Sequence, residues 1–228
     1  MLVIAHRGAS GSERENTWEA FRAAYEMGAR AVETDVRRCP FCKTLKLSHD
    51  PISSEQECDT LMNFKDFLNF GEWMILNVEL KERGIAKEVA RLVKRLRHKD
   101  AITYSSFLWR ELRTLKKQYH YFYAQPKISL LWDQGEFNVP WWLVVWVSKI
   151  VGAKSICLDF TMIIKNPEIV IYFRKKGFEV YAYTLNSEKE IKLAKKLELD
   201  GIFTDFPAYA AYILSGKDLN FFDQKQVT

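Results

Sequence analysis

Cysteine is scarce: Cys39, Cys42, Cys58 and Cys157 are the only four in 228 residues, too few and too unevenly spread for the disulfide framework of a small secreted domain. Long apolar runs are missing as well, and none approaches the roughly 18 to 20 residues that cross a bilayer. Met1-Leu2-Val3-Ile4-Ala5 runs straight into a His-Arg pair, with neither the charged leader nor the apolar core of a signal peptide, so a cytoplasmic location is expected. Charge of one sign is also missing. The 34 basic and 29 acidic residues leave a net +5, which suits an anionic small molecule but is too mild to single out nucleic acid, and none is expected as a partner. There is no linker rich in Gly, Ser or Pro and no internal repeat, so residues 1–228 read as one domain, with 217–228 as a flexible tail. Phe221 and Phe222 in that tail leave the oligomeric state open. What the chain does have is 48% apolar residues, ample for a sizeable core.

The apolar residues fall into alternating strand and helix patterns. Residues 3–5 form a short apolar strand. Asn16 and Glu19 resemble a capping box, and Trp18, Phe21 and Tyr25 recur at helical spacing until Gly28. Strand 30–37 follows, then the turn Cys39-Pro40-Phe41-Cys42 and an extended stretch 44–48, together read as a hairpin. Past a polar segment come a short helix near 61–70, strand 73–80, and a helix marked by Ile85, Val89, Leu92, Val93 and Leu96. Strand 101–105, helix 107–115 and strand 119–124 are next. Residues 126–152 are the least legible. Order returns with strand 155–158, a helix from Asn166-Pro167 to Gly177, strand 178–183, a second capping box at Ser187 and Glu190, strand 199–203, and a last helix after Pro207. About eight alternations in one domain favour a closed parallel TIM (β/α)8 barrel over an open doubly wound sheet.

The chemistry concentrates at strand ends, where such a barrel carries its active groups. Side chains alternate along a strand, so Glu33 and Asp35 share one face while Val32, Thr34 and Val36 take the other. Two carboxylates in an apolar setting resist ionisation unless a cation joins them, which is the shape of a hard-metal site. His6 with Arg7, His49 with Asp50, Glu79 with Lys81, and Thr184 with Asn186 fall at or near other strand ends. Each has a plainer reading: a solvated carboxylate pair, an ordinary Glu79–Lys81 salt bridge, a polar strand end, helix caps at Thr184 and Asn186. Capping is the preferred reading for Asn16. The other two histidines, His98 and His120, have no such company.

In order along the chain, His6-Arg7-Gly8, Glu15-Asn16-Thr17, Gly28-Ala29, Glu33-x-Asp35, His49-Asp50, Glu79-x-Lys81, Tyr183-Thr184-Leu185-Asn186 and Asp200-Gly201-Ile202-Phe203-Thr204-Asp205-x-Pro207 resemble the glycerophosphodiester phosphodiesterase family. The resemblance implies a TIM barrel that hydrolyses a small-molecule glycerophosphodiester to glycerol 3-phosphate and an alcohol with one divalent cation, Mg2+, Ca2+ or Mn2+. It implies Glu33, Asp35 and Glu79 as metal ligands, His6 and His49 as acid and base, and Arg7 and Lys81 as phosphate-binding groups. These residue types are what the reaction needs. A phosphodiester repels nucleophiles, so cations must neutralise charge building on its oxygens, and two groups titrating near neutrality must move protons.

The chain departs from the family's usual pattern at Arg14, where proline commonly precedes Glu-Asn-Thr, at Tyr183, often tryptophan, and at Ser53-Ser54-Glu55-Gln56, often an Arg-Thr-Thr run. The short span from Asp50 to Glu79 reduces any inserted subdomain. Cys39-x-x-Cys42 is open to three readings: reduced thiols, a disulfide clamping the turn, or part of a zinc knuckle needing further ligands. The stretch 139–147 reads as a buried helix, or as one whose Trp141, Trp142 and Trp146 line the barrel mouth or touch a membrane surface. The membrane reading makes lysophospholipase D-type hydrolysis of a lysophospholipid the alternative activity. A catalytically silent barrel binding a phosphorylated ligand is the alternative from another class.

Overall fold

The computed structural model describes residues 1–119, 125–133 and 139–216. Strands and helices alternate through β1 (Leu2–Ala5), α1 (Trp18–Glu26), β2 (Ala31–Arg38), β3 (Leu45–Leu47), α2 (Glu55–Thr60), α3 (Phe64–Phe67), β4 (Ile75–Leu80), α4 (Ala86–Val93) and β5 (Ile102–Ser106). They continue through α5 (Trp109–Gln118), β6 (Lys127–Trp132), α6 (Trp141–Val151), β7 (Ser155–Asp159), α7 (Phe160–Lys165), α8 (Glu168–Lys175), β8 (Glu179–Tyr183), α9 (Glu188–Lys196), β9 (Gly201–Thr204) and α10 (Pro207–Ser215). Parallel pairing runs from β1 through β9, β8, β7, β6, β5 and β4 to β2, and β1 pairs with β2 to close the ring. The result is a TIM barrel, with β3 added antiparallel on the outer edge of β2.

Two cores follow from this closure. Between the strands and the surrounding helices lies the large one, where Phe21 meets Phe67 at 4.7 Å and Phe70 at 5.5 Å between ring centroids. Each such buried ring contributes about 1.5–3 kcal/mol of transfer free energy. These contacts fasten α1, which follows the His6-Arg7 loop, to the segment that leads into β4. Inside the barrel the core is small: Ile4, Ala31, Leu131, Cys157 and Phe203. Polar side chains share this interior, as where Ser105 donates to Asn77 at 2.8 Å.

Three local expectations need correction. The fifth ring strand is not 119–124: Tyr119 is the C-cap of α5, residues 120–124 lie outside the described part, and the strand is β6. β6 is buried over Ile128–Leu131 and shows no polar alternation, so its period is hidden, whereas the tyrosine-rich stretch before it has the stronger strand propensity. Asn16 does not cap α1. Thr17 does, accepting from the Ala20 N–H at 3.2 Å, while Asn16 sits at φ 58° with its side chain turned inward. The short helices α2 and α7 were not expected.

The capping box of α9, the proline at the start of α10, and the hairpin across the cysteine turn are present as expected. The expected tail 217–228 lies outside the described residues, as does His120. Among the described residues no helix is long and apolar enough to cross a membrane.

Candidate active site

β1, β2 and β4 set the floor of the site through their register. Asp35 on β2 pairs with Glu79 on β4, and Glu33 pairs with Asn77. Side-chain alternation then sends Glu33, Asp35 and Glu79 to the barrel interior, where one carboxylate oxygen from each lies within 4.8 Å of the others. All three are buried. Burial, then repulsion from Asp35 and Glu79, lifts Glu33 well above the ordinary carboxylate range, and burial lifts Glu79 to about 7.

Cationic side chains surround this cluster. Lys81 Nζ stands 3.0 Å from Glu79 and 3.5 Å from Asp35 Oδ1, and Arg7 Nε stands 3.0 Å from Asp35 Oδ2. Neither approach to Asp35 is a formed hydrogen bond: Arg7 Nε and Asp35 Oδ1 are both buried without a partner of proper geometry. A buried carboxylate oxygen left without a hydrogen bond, facing two more carboxylates, fits a hard divalent cation, whose ligands are oxygens and whose charge removes the mutual repulsion.

Arg7 is held by backbone as much as by charge. It adopts φ 57°, its N–H donates to Glu33 at 3.1 Å, and its guanidinium donates to Glu15 at 2.8 Å. Gly8 follows at φ 91°, where a Cβ would come within 2.6 Å of the Ala20 Cβ, so only glycine lets this loop lie against α1.

Two polar networks support the floor from the side. Asn16 donates to Asp35 Oδ2 at 3.1 Å and accepts from the Thr34 hydroxyl at 2.7 Å, so it buttresses a carboxylate. Asp205, just after β9, bonds His6 Nδ1 at 2.7 Å and accepts from Ser10 at 2.9 Å and Asn186 at 2.6 Å. Burial opposes ionisation of Asp205, but these hydrogen bonds outweigh it and hold its carboxyl below the usual range. Asn186 therefore belongs to the His6 network, and helix α9 takes its cap from Ser187.

In the sequence Asp205 belongs to a motif that assigns it no role. The signal was there, a carboxylate following the last strand, but its partner is 199 residues away in the chain.

His49 follows β3, and its Nδ1 meets Asp50 at 3.0 Å. It shares with His6, Arg7, Glu33, Glu79 and Lys81 the lining of one cavity of about 150 Å³ at the C-terminal end of the strands. All the residues expected at the site are therefore brought together, with Asp35 outside that lining but against Glu33 and Glu79. Phe107, Leu131, Tyr183 and Phe203 form the apolar wall, with Tyr183 edge-on to Phe107 at 6.0 Å. Trp141, Trp142 and Trp146 are absent from the lining: α6 buries Val144, Val147 and Val151, seats Trp141 on Tyr172, and exposes the other two tryptophans. His98 bonds the Leu68 carbonyl at 2.8 Å, a structural role.

The chain is similar to known proteins over nearly its whole length. The family model for the glycerophosphoryl diester phosphodiesterase family matches residues 6–39 and 50–209. A glycerophosphodiester phosphodiesterase of Caldanaerobacter subterraneus subsp. tengcongensis is 27% identical over 246 residues, spanning 90% of this chain and 94% of the relative. The crystal structure of a Thermotoga maritima glycerophosphodiester phosphodiesterase superposes with a TM-score of 0.76 at 26% identity, covering 93% of this chain and 98% of that one. An Oleispira antarctica phosphodiesterase, solved in complex with the product sn-glycerol-3-phosphate, shares the fold at a TM-score of 0.74 and 20% identity, over 94% and 97% of the two chains.

Proposed function

The chain belongs to the glycerophosphoryl diester phosphodiesterase family and is a phosphoric diester hydrolase, and we propose that it cleaves small glycerophosphodiesters to glycerol 3-phosphate and an alcohol by divalent-cation-assisted acid–base catalysis. The observation carrying this reading is the convergence of Glu33, Asp35 and Glu79 at the floor of a cavity that His6, His49, Arg7 and Lys81 also line. Glu33, Asp35 and Glu79 would hold Mg2+, Ca2+ or Mn2+, which when bound supplies neutralisation of the charge developing on the phosphate oxygens.

The chain's own groups do the rest. Arg7 and Lys81 stand against the carboxylates and line the cavity, where their N–H donors would meet the phosphate oxygens. Asp205 holds the Nδ1 side of His6, which orients the ring and leaves Nε2 for proton transfer. One of His6 and His49 takes the proton of the nucleophile, a water or the substrate's own glycerol hydroxyl, and the other returns one to the leaving oxygen. The product complex of the Oleispira antarctica relative supports glycerol 3-phosphate as the moiety recognised.

Replacing either histidine tests the assignment. His6→Ala and His49→Ala are each expected to slow glycerophosphocholine hydrolysis by about 10²–10⁴-fold, the range that general acid–base catalysis supplies, with an unchanged circular dichroism spectrum. Full activity in either variant contradicts the roles given.

One observation favours a second substrate class. Trp142 and Trp146, one turn apart on α6, are 64% and 56% exposed, the placement of aromatics that settle at a membrane interface. A lysophospholipid presented at a membrane surface would then react at the same groups. Cosedimentation with lipid vesicles and turnover of lysophosphatidylcholine would support this extension, and indifference to both would remove it. A silent ligand-binding barrel has no observation in its favour, since every group the reaction needs is present.

A further inference from the structure

Cys39 and Cys42 lie in the connection between β2 and β3, and Cys58 lies in α2. Their sulfurs nonetheless all fall within 4.8 Å of one another. Cys42 Sγ and Cys58 Sγ are 3.2 Å apart, and all three thiols are free. Tetrahedral Zn2+ with bonds of 2.3 Å separates its sulfur ligands by about 3.8 Å, so small side-chain adjustments suffice to bring three sulfurs onto one ion.

The turn is shaped for bound sulfur. Cys39 Sγ accepts backbone N–H groups of Phe41 and Cys42 at 3.4 and 3.5 Å, an arrangement that stabilises negative charge on sulfur as outer-shell bonds do at metal sites. Ile52 and Leu61 pack against the buried Cys39 and Cys58, while Cys42 is exposed. The site thus has an apolar floor and one open side. Thiolate sulfur selects soft or borderline cations over the hard cations that suit the carboxylate cluster.

We propose that Cys39, Cys42 and Cys58 bind one Zn2+ ion, with a solvent oxygen completing the tetrahedron on the exposed side of Cys42. Binding replaces the three S–H bonds with S–Zn bonds and releases the protons to solvent, with no change of oxidation state. The site is separate from the carboxylate cluster but bears on it. Cys42 and Cys58 lie on either side of His49 in the chain, so a loaded site ties down both ends of the segment that carries this histidine.

The test is Co2+ binding to the reduced full-length protein in excess Mg2+, which occupies oxygen ligands and leaves thiolates free. The expected result is one equivalent of tetrahedral Co2+ per chain with a thiolate-to-cobalt charge-transfer band, and displacement of that band by Zn2+. The band should vanish in Cys42→Ser, whose exposed position keeps the fold, and in Cys58→Ser, and should persist in Cys157→Ser. No band in the reduced protein, or an undiminished band in Cys42→Ser and Cys58→Ser, overturns the proposal.

Discussion

At the scale of single residues, the site depends on side chains that lie outside the cavity lining. Asn16 satisfies Asp35 Oδ2 and Thr34 at once, so Asn16→Ala leaves a buried carboxylate short of a donor. The expected outcome is a loss of divalent-cation affinity of about 10–100-fold, the usual cost of removing an outer-shell partner, measured by calorimetric titration. Asp205→Asn should lower kcat, by up to the roughly 10²–10⁴-fold that acid–base catalysis is worth, with little change in KM, because Asp205 orients His6 and does not hold the phosphate. Glu33, Asp35, Glu79, both histidines and the two cationic groups stand out in the sequence as candidates because each sits in a short motif with its own chemical logic, and the fold brings them to one end of the barrel. Asn16 was misread because a polar residue before a helix looks like a cap, and only the folded chain shows that a strand 18 residues later claims its side chain. Asp205 went unassigned for the same reason at longer range.

At the scale of elements, the strand register does the positioning. Asp35 faces Glu79 because β2 and β4 pair in one register, and a slip of β2 by one residue would turn Glu33 and Asp35 outward, away from Glu79. The loop after β1 must lie flat against α1, which Gly8 allows. Gly8→Ala, forced to φ 91° and into the Ala20 Cβ, should destabilise the protein by on the order of 3 kcal/mol, read from urea denaturation midpoints. Elements with polar-apolar contrast or capping signals, such as β2, α4 and α9, could be read directly from the chain. β6 could not, because a strand buried on both faces carries no period, and the short helices α2 and α7 give too few turns for one.

At the scale of the whole molecule, the barrel carries a buried negative cluster that ties stability to pH and to cations. Glu33 and Glu79 are raised above the ordinary 4.5, Glu79 to about 7, so the folded state holds protons there that the unfolded state has lost. The contribution of Glu79 to stability is full below about 4.5 and declines as pH rises through about 7, and that of Glu33 changes in the same direction. The metal-free protein should therefore lose Tm from this source between those values, while the gain in Tm on adding Mg2+ or Ca2+ should grow over the same window as the cation displaces the protons. A cation-induced gain that is flat with pH would contradict this linkage. The most direct measurement of the central claim is release of glycerol 3-phosphate from glycerophosphocholine by the purified protein after chelation and after restoring Mg2+, Ca2+ or Mn2+, alongside Asp35→Asn. The expected result is product that vanishes with chelator, returns with a divalent cation, and stays absent in Asp35→Asn; full turnover in chelator, or in Asp35→Asn, would contradict it.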